Sequence, residues 1–358
     1  MFQELTIKIK LNTNHLRNQL LEDTSHCYIH TINSLVHEMV VEYQAFQKIS
    51  SKDVTSPLNS SVKNQAIQDA KSIFRKVKKA KFEWIPFLRK PVIVWNNQNW
   101  SYDEHSIAMP FIVNGKSKRI SFPASFGERE LMLIRSARKL GTLRITKKHT
   151  KWIAQITILV ETQAPSTSKT MGVDLGVKVP AVCYTDENQV KFCGNGRKNK
   201  YFRRYHNHRR KKLGIAKKPK AIVKSRDKEQ RYMNDQDHKV SKEIIKFAIQ
   251  KNVGIIKLEE LSGIRQSTRT SRKNNHSLHT WSFYRLAKYI EYKASLFGIE
   301  VQYVKPHYTS QTCPKCTKRN HARDRIYSCS CGFNGHRDLV GARNILFAPE
   351  SNGNSLAA

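Results

Sequence analysis

The chain has 358 residues, and its 64 Lys and Arg against 28 Asp and Glu give a formal charge of +36. At roughly 150 residues per domain the length predicts two or three domains with at least one large core, and so positive a balance repels itself unless a polyanion neutralises it. A small acidic substrate does not account for that charge, and a composition that is 39% hydrophobic, with 15 Phe, 13 Tyr and 5 Trp, is too apolar for a disordered basic tail.

The chain is therefore expected to fold and to bind DNA or RNA. No apolar run approaches the ~18 to 20 residues of a membrane span, and Met1 to Leu11 lacks the apolar core of a signal peptide, which predicts a cytoplasmic protein with no membrane partner. In chain order, LTIKIKL (5–11) alternates apolar and cationic side chains as a half-buried strand does. Tyr28, Ile32, Leu35, Met39, Tyr43 and Phe46 then recur every three or four residues along one face of a long helix. A Ser-rich break from Ser50 to Ser61, containing Pro57, leads to a second helix with Val62, Ala66, Ala70, Ile73 and Val77 on one stripe. From about Val92 to Val160 the runs VIVW, RISF, LRIT and WIAQITILV read as strands, with KKHTK as a hairpin loop. These predict a small antiparallel sheet or barrel into which the two helices are inserted, with Trp84, Trp95, Trp100 and Trp152 in its core. TQAPSTSKT (162–170) is polar and carries Pro and Ser, so the main boundary is expected there.

The second half mixes strands and helices. MGVDLGVKVPAVCYTDENQVKFCG reads as strand, strand, a turn at Asp186 to Asn188, and strand. Between Arg197 and Tyr232 there are 16 Lys and Arg against 2 Asp and Glu, a net +14, with Tyr201, Phe202 and Tyr205 interleaved. Such a stretch is either a solvated basic helix or an element that tracks phosphates, and charge this dense favours the second. Arg203, Arg204, Arg209, Arg210, Lys211 and Lys212 are its candidate nucleic-acid contacts. A helix over Val240 to Gln250 then leads into a buried strand, Gly254 to Leu258, and a helix from Trp281 to Phe297 precedes a strand at Ile299 to Val304.

Two patterns carry chemistry. Cys313 and Cys316, followed by Cys329 and Cys331, form two knuckles that can present four thiolates to a tetrahedral zinc ion; disulfides or free thiols are the alternative, and His321 and His336 are reserve ligands. A closed site of that kind contributes folding stability rather than catalysis. The second pattern is three acids in separate segments: Asp174 in GVDLG, Glu259 or Glu260 in LEEL, and Asp338 in HRDLVGARNIL. Alone, each has a plain explanation: a strand ending at a Gly turn, an acidic helix start, and a helix N-cap. Alternation, however, sets Asp174 opposite Val173 and Leu175, and it favours Glu259 over Glu260 as the inward acid. Together, three such carboxylates can hold two Mg²⁺ ions ~3.5 to 4 Å apart for phosphodiester hydrolysis.

GVDLG, LEEL, the CPKC and CSCG knuckles and HRDLVGARNIL, in that order in a strongly basic chain, resemble the TnpB family, transposon-encoded proteins similar to miniature type V CRISPR effectors. The resemblance covers the second half throughout. It implies an α+β multidomain fold: a β wedge domain (1–11 and 85–165) with an inserted helical recognition domain (12–84), then a split RNase H-like (RuvC) nuclease domain (166–312 and 332–350). A zinc-binding insertion (313–331) and a flexible tail (351–358) complete it. It further implies an RNA-guided DNA endonuclease of a mobile element, with Asp174, Glu259 and Asp338 as the catalytic acids that hold two Mg²⁺ ions. One structural Zn²⁺ would sit on Cys313, Cys316, Cys329 and Cys331. The implied partners are a guide RNA from the element's end and a double-stranded target DNA beside a short motif, the protein acting as a monomer on its RNA. Arg265 to Asn275 resembles the family's lid beside the active site. The sequence departs from the family after the third acid, where Leu339-Val340-Gly341-Ala342 replaces the frequent x-Asn-Ala-Ala and removes a polar neighbour. A nuclease-inactive, RNA-guided DNA-binding repressor is the alternative function, and a guide-free RuvC resolvase or transposase the third.

Overall fold

The computed structural model describes residues 2–41, 49–80, 84–164, 167–261, 279–306, 308–322 and 324–349. Tyr43 and Phe46 of the first helical stripe, the segment Arg265 to Asn275 and the tail 351–358 lie outside the described residues. The chain divides into two compact units, Phe2–Glu161 and the residues from Thr162 onward.

The first unit is built on seven strands: β1 (Phe2–Leu11), β2 (Val92–Trp95), β3 (Ser101–Tyr102), β4 (Ser106–Val113), β5 (Lys116–Ser125), β6 (Ala137–Lys148) and β7 (Lys151–Glu161). They form one sheet in the order β2-β6-β7-β1-β5-β4-β3, and every neighbouring pair is antiparallel. The alternation in LTIKIKL is expressed directly: Ile7, Ile9 and Leu11 are buried and the residues between them exposed. Between β1 and β2 the chain forms α1 (His15–Val41) and α2 (Ser60–Ala80). Their apolar stripes meet, and at that contact the Tyr28 hydroxyl, within 3.0 Å of Asp69, satisfies a polar group that burial would otherwise strand. Trp95, Trp100 and Trp152 lie in the core, each with its indole N–H donating to an oxygen. Trp84 does not: it is 63% exposed, because it lies eight positions before the start of β2 and no strand carries it inward. Two further elements differ from expectation. Glu128–Arg135 is a short helix, α3, and β4 runs through Pro110, whose carbonyl accepts from Trp95.

The second unit is a five-stranded sheet of β8 (Thr170–Leu175), β9 (Ala181–Thr185), β10 (Val190–Cys193), β11 (Ile255–Glu259) and β12 (Glu300–Val304), ordered β10-β9-β8-β11-β12. β8, β11 and β12 are parallel, and β9 and β10 return antiparallel. α4 (Gly196–Ile215) and α5 (Pro219–Gln250) follow β10, with Pro219 starting α5, so the basic stretch is two helices. α6 (Phe283–Leu296) connects β11 to β12, and α7 (Arg337–Phe347) closes the described chain after a two-stranded hairpin of β13 (Ile326–Ser328) and β14 (Asn334–His336). One face of the sheet, with Val173, Leu175, Ile256 and Leu258, packs on apolar residues of α5 and α6 such as Ile244 and Ile290. The other face packs α7 through Val182, Tyr184, Ala342 and Leu346. Among the described residues no helix is long and apolar enough to cross a membrane.

Candidate active site and metal centre

Parallel pairing sets β8 beside β11 with Val173 opposite Leu258, so the next residues, Asp174 and Glu259, project side by side from the carboxyl ends of two neighbouring strands. That end of a parallel sheet is where α/β folds place ligands. α7 lies over the same face. Its approach requires Gly172: a Cβ there would stand 2.2 Å from the Ala342 carbonyl and 2.6 Å from the Leu346 nitrogen. Gly341 likewise leaves room for Asp174, whose Oδ2 would be 2.9 Å from an added Cβ. Asp338, buried in the first turn of α7, is brought to the same place. It is not the N-cap; His336 caps the helix, its side chain accepting from the Asp338 N–H.

The electrostatics follow from the burial. Burial pushes the Asp174 carboxyl well above the usual carboxylate range, Glu259 and Asp338 nearby push it the same way, and Arg337 and Arg325 pull back. Burial also raises Glu259, while a hydrogen bond from the Thr309 hydroxyl to Oε1 opposes the shift. Thr309 is itself fixed, since Asn344 of α7 donates to the carbonyls of Thr309 at 2.6 Å and Thr312 at 2.8 Å. Arg325 holds Asp338, with Nη1 2.5 Å from both carboxylate oxygens. Lys257, two residues before Glu259, reaches the Ala348 carbonyl at the end of α7, where a cation suits the helix dipole. Glu260 follows the last residue of β11, and its backbone N–H donates to the Val304 carbonyl at 2.9 Å. Thr309, Arg325 and Asn344 did not stand out in the sequence, because each acts through a partner far away along the chain.

Are these carboxylates fit for a divalent metal? Their hard oxygens suit Mg²⁺, and crowded, buried acids are costly unless a cation joins them. They do not form a closed single-ion shell. Among the described residues, the only set of three or more metal-ligating side chains whose ligand atoms all lie within 4.8 Å of one another is the four cysteines. Asp338 is turned to Arg325 and Glu259 to Thr309, which leaves a wider group of oxygens around Asp174.

The cysteines meet a stricter geometry. Sγ of Cys313 and Cys331 are 3.6 Å apart, and those of Cys316 and Cys329 are 3.4 Å apart. A tetrahedral zinc ion bound to four sulfurs needs about 3.8 Å between them. The Cys331 backbone N–H, directed at its sulfur, together with the neighbouring cysteine side chains, holds the Cys329 thiol down to about 6, and Asn320 donates to the same sulfur at 3.1 Å. Gly332 turns the second knuckle with a φ of +84°. Val340, the apolar departure after Asp338, is buried against Cys313 and Tyr327, so α7 docks on this cluster. His336 serves the helix cap, and Tyr308 lies beneath the Arg319 guanidinium at 3.7 Å, which places it with the knuckle.

The six basic candidates divide. Arg210 pairs with Glu229 at 2.6 Å and Arg203 donates to the Thr280 carbonyl, so both are engaged within the protein. Arg204, Arg209, Lys211 and Lys212 are exposed on α4, beside exposed Tyr201 and Tyr205.

Residues 283–345 match the family model "Cas12f1-like, TNB domain". The chain is 29% identical over 265 residues to the CRISPR-associated endodeoxyribonuclease Cas12f1 of Sulfoacidibacillus thermotolerans, covering 68% of this chain and 59% of that protein. It is 37% identical over 122 residues to a TnpB-like protein of Methanocaldococcus jannaschii, covering 33% of this chain and 44% of that one. The matches thus span 59% and 44% of these two curated relatives' lengths. In fold it is similar to Cas12f1 as seen in a cryo-EM complex with sgRNA and target DNA, with a TM-score of 0.67 at 18% identity over 94% of this chain and 83% of that one. The chain is thus similar to the miniature type V effectors and to a TnpB-like protein, the resemblance its motifs lead one to expect.

Proposed function

We propose that the protein is an RNA-guided DNA endonuclease that hydrolyses target phosphodiesters at Asp174, Glu259 and Asp338. The observation that carries this reading is the convergence of three carboxylates from β8, β11 and α7 at the open end of the sheet, where Glu259 and Asp338 both act on a half-buried Asp174. In this reading the second unit is a RuvC nuclease domain of the RNase H-like class, interrupted by the zinc knuckles, and the first is a wedge with a helical recognition insertion. Two Mg²⁺ ions bound by the three acids would supply an activated water and a charge partner for the leaving oxygen. The chain's own residues orient that centre. Thr309 fixes the Glu259 carboxylate and favours its ionised form. Arg325 pairs with both oxygens of Asp338 and so fixes the direction of that carboxylate. The zinc hairpin supplies Arg325 and carries α7, so it sets Asp338 without touching the substrate.

Guide and target would be held mainly by charge. Arg204, Arg209, Lys211 and Lys212 of α4 supply phosphate contacts, and base pairing supplies sequence selection. The test is a plasmid library with a randomised motif beside a guide-matched target, incubated with protein co-expressed with the RNA that flanks its gene. Cutting that needs both the matched guide and Mg²⁺, and stops with EDTA, is expected. A second reading, guided DNA binding without cleavage, is favoured by one observation: Asp338 is already paired with Arg325, which competes with a metal for its oxygens. Tight guide-dependent binding with no cutting would select it.

A further inference from the structure

Between the loop after β8, the N-terminal half of α4, and the start of α6 lies a cavity of about 240 Å³. It is smaller than the ~300 Å³ at which pockets for drug-sized ligands begin, so it suits a small planar group. Buried Pro180, Met233 and Leu286 and the indole of Trp281 form apolar walls, and Val177 stands at the mouth, 39% exposed. α4 contributes the polar side. Asn199, Lys200, Arg203, Arg204 and Asn207 all line the cavity, a spacing that puts them on one face of the helix. Arg203 is spent on the Thr280 carbonyl, whereas Lys200 and Arg204 are exposed. The one acid in the wall, Asp237, is paired with Arg285 at 2.6 Å and presents no free charge to an anion.

The Asn199 side chain is the informative member. Its Oδ1 is buried and has no hydrogen-bond partner. A buried acceptor left unmade costs about 1 to 3 kcal/mol, so a donor arriving in the cavity would be rewarded by a small rotation of that side chain. Apolar and aromatic walls, an acceptor in want of a donor, and a cationic rim together match a nucleobase with its phosphate.

We infer that this cavity takes one unstacked nucleobase of the bound strand, its ring against Trp281 and Met233, its exocyclic amino group donating to Asn199 Oδ1, and its phosphates on Lys200 and Arg204. The inference rests on the nucleic-acid reading above and adds a position at which the protein itself distinguishes bases. Adenine and cytosine carry an exocyclic amino donor and thymine does not. Cytosine against thymine is the decisive comparison, because both are pyrimidines and stack alike.

The test is fluorescence anisotropy of the full chain with labelled homopolymer DNA strands of adenine, cytosine or thymine at one salt concentration. Cytosine strands are expected to bind about fivefold more tightly than thymine strands, the gain from about one net hydrogen bond. Asn199→Leu abolishes that preference. Val177→Trp, which plugs the mouth and leaves Asn199 in place, abolishes it as well and serves if the first variant does not fold. Lys211→Ala combined with Lys212→Ala, on the exposed end of α4, weakens all strands alike and keeps the ratio. Equal binding of cytosine and thymine strands by the unaltered protein overturns the cavity assignment and leaves the nucleic-acid reading standing, as does a preference that survives in both cavity variants. No binding of any strand overturns both.

Discussion

Asp174 sits where burial and two neighbouring carboxylates all oppose its ionisation, so its charge is a cost to the metal-free fold. The sign is definite. A carboxyl whose folded pKa lies above its unfolded value of ~3.9 destabilises the protein as pH rises above that value and until the raised pKa is passed. Asp174→Asn is therefore expected to raise the melting temperature in EDTA at neutral pH, with the gain shrinking toward zero as pH falls below ~4. Thermal melts across pH check this, and a gain independent of pH would show that charge is not the cause. Thr309 works in the opposite direction on Glu259. Thr309→Val keeps the shape and removes the donor that lowers Glu259, so the acidic limb of the cleavage profile should move to higher pH, with the rate at neutral pH falling about tenfold, as for loss of one charge-assisted hydrogen bond. An unmoved limb would mean that Thr309 does not act through Glu259. At this scale the sequence was legible where alternation applied: Gly172 and Asp174 share a face, and Glu259 rather than Glu260 stands beside Asp174. It was not legible for Arg325, Thr309 and Asn344, whose partners lie 13, 50 and 35 residues away and meet only after the hairpin and α7 have docked.

Among the elements, α7 matters most, because it carries Asp338 and rests on both the sheet and the cysteine hairpin. Its seat on β8 depends on Gly172. Gly172→Ala would press a methyl group into backbone atoms of α7, which cannot swing aside as a side chain can, and overpacking of that kind costs roughly 1 to 3 kcal/mol. A melting temperature lowered by several degrees is expected, and an unchanged one would mean that α7 is not held at the observed distance. Its other seat is the cysteine cluster. Replacing Cys313 and Cys316 by Ser should remove about one zinc per chain, read by elemental analysis, and lower soluble yield with it. Unchanged zinc content would refute the site. The strongly periodic elements, α1, α2 and the strands with clean alternation, could be read from the chain because burial of one face dictates their pattern. α3 could not, being eight residues with only Leu133 and Ile134 buried, and β4 carries a mid-strand Pro110, which ordinarily argues against a strand.

For the molecule as a whole, the +36 charge is the dominant fact. If it serves to bind a guide and target through more than ~6 phosphates, affinity should fall by ~10³ between 50 and 200 mM salt. Filter binding at several salt concentrations reads this directly, and a flat response would remove the electrostatic argument. The charge and the order of the acid and cysteine motifs made the resemblance to the miniature type V effectors legible before any fold was known, whereas the inward turn of Arg203 and Arg210 depends on how α4 meets α5 and the Thr280 carbonyl. The most direct test of the nuclease reading is cleavage of a guide-matched plasmid by the RNA-loaded protein and by its Asp174→Ala variant, with target binding measured in parallel. Loss of Mg²⁺-dependent cutting with guided binding retained is the expected result; cutting that persists in the variant would contradict the assignment of hydrolysis to this centre.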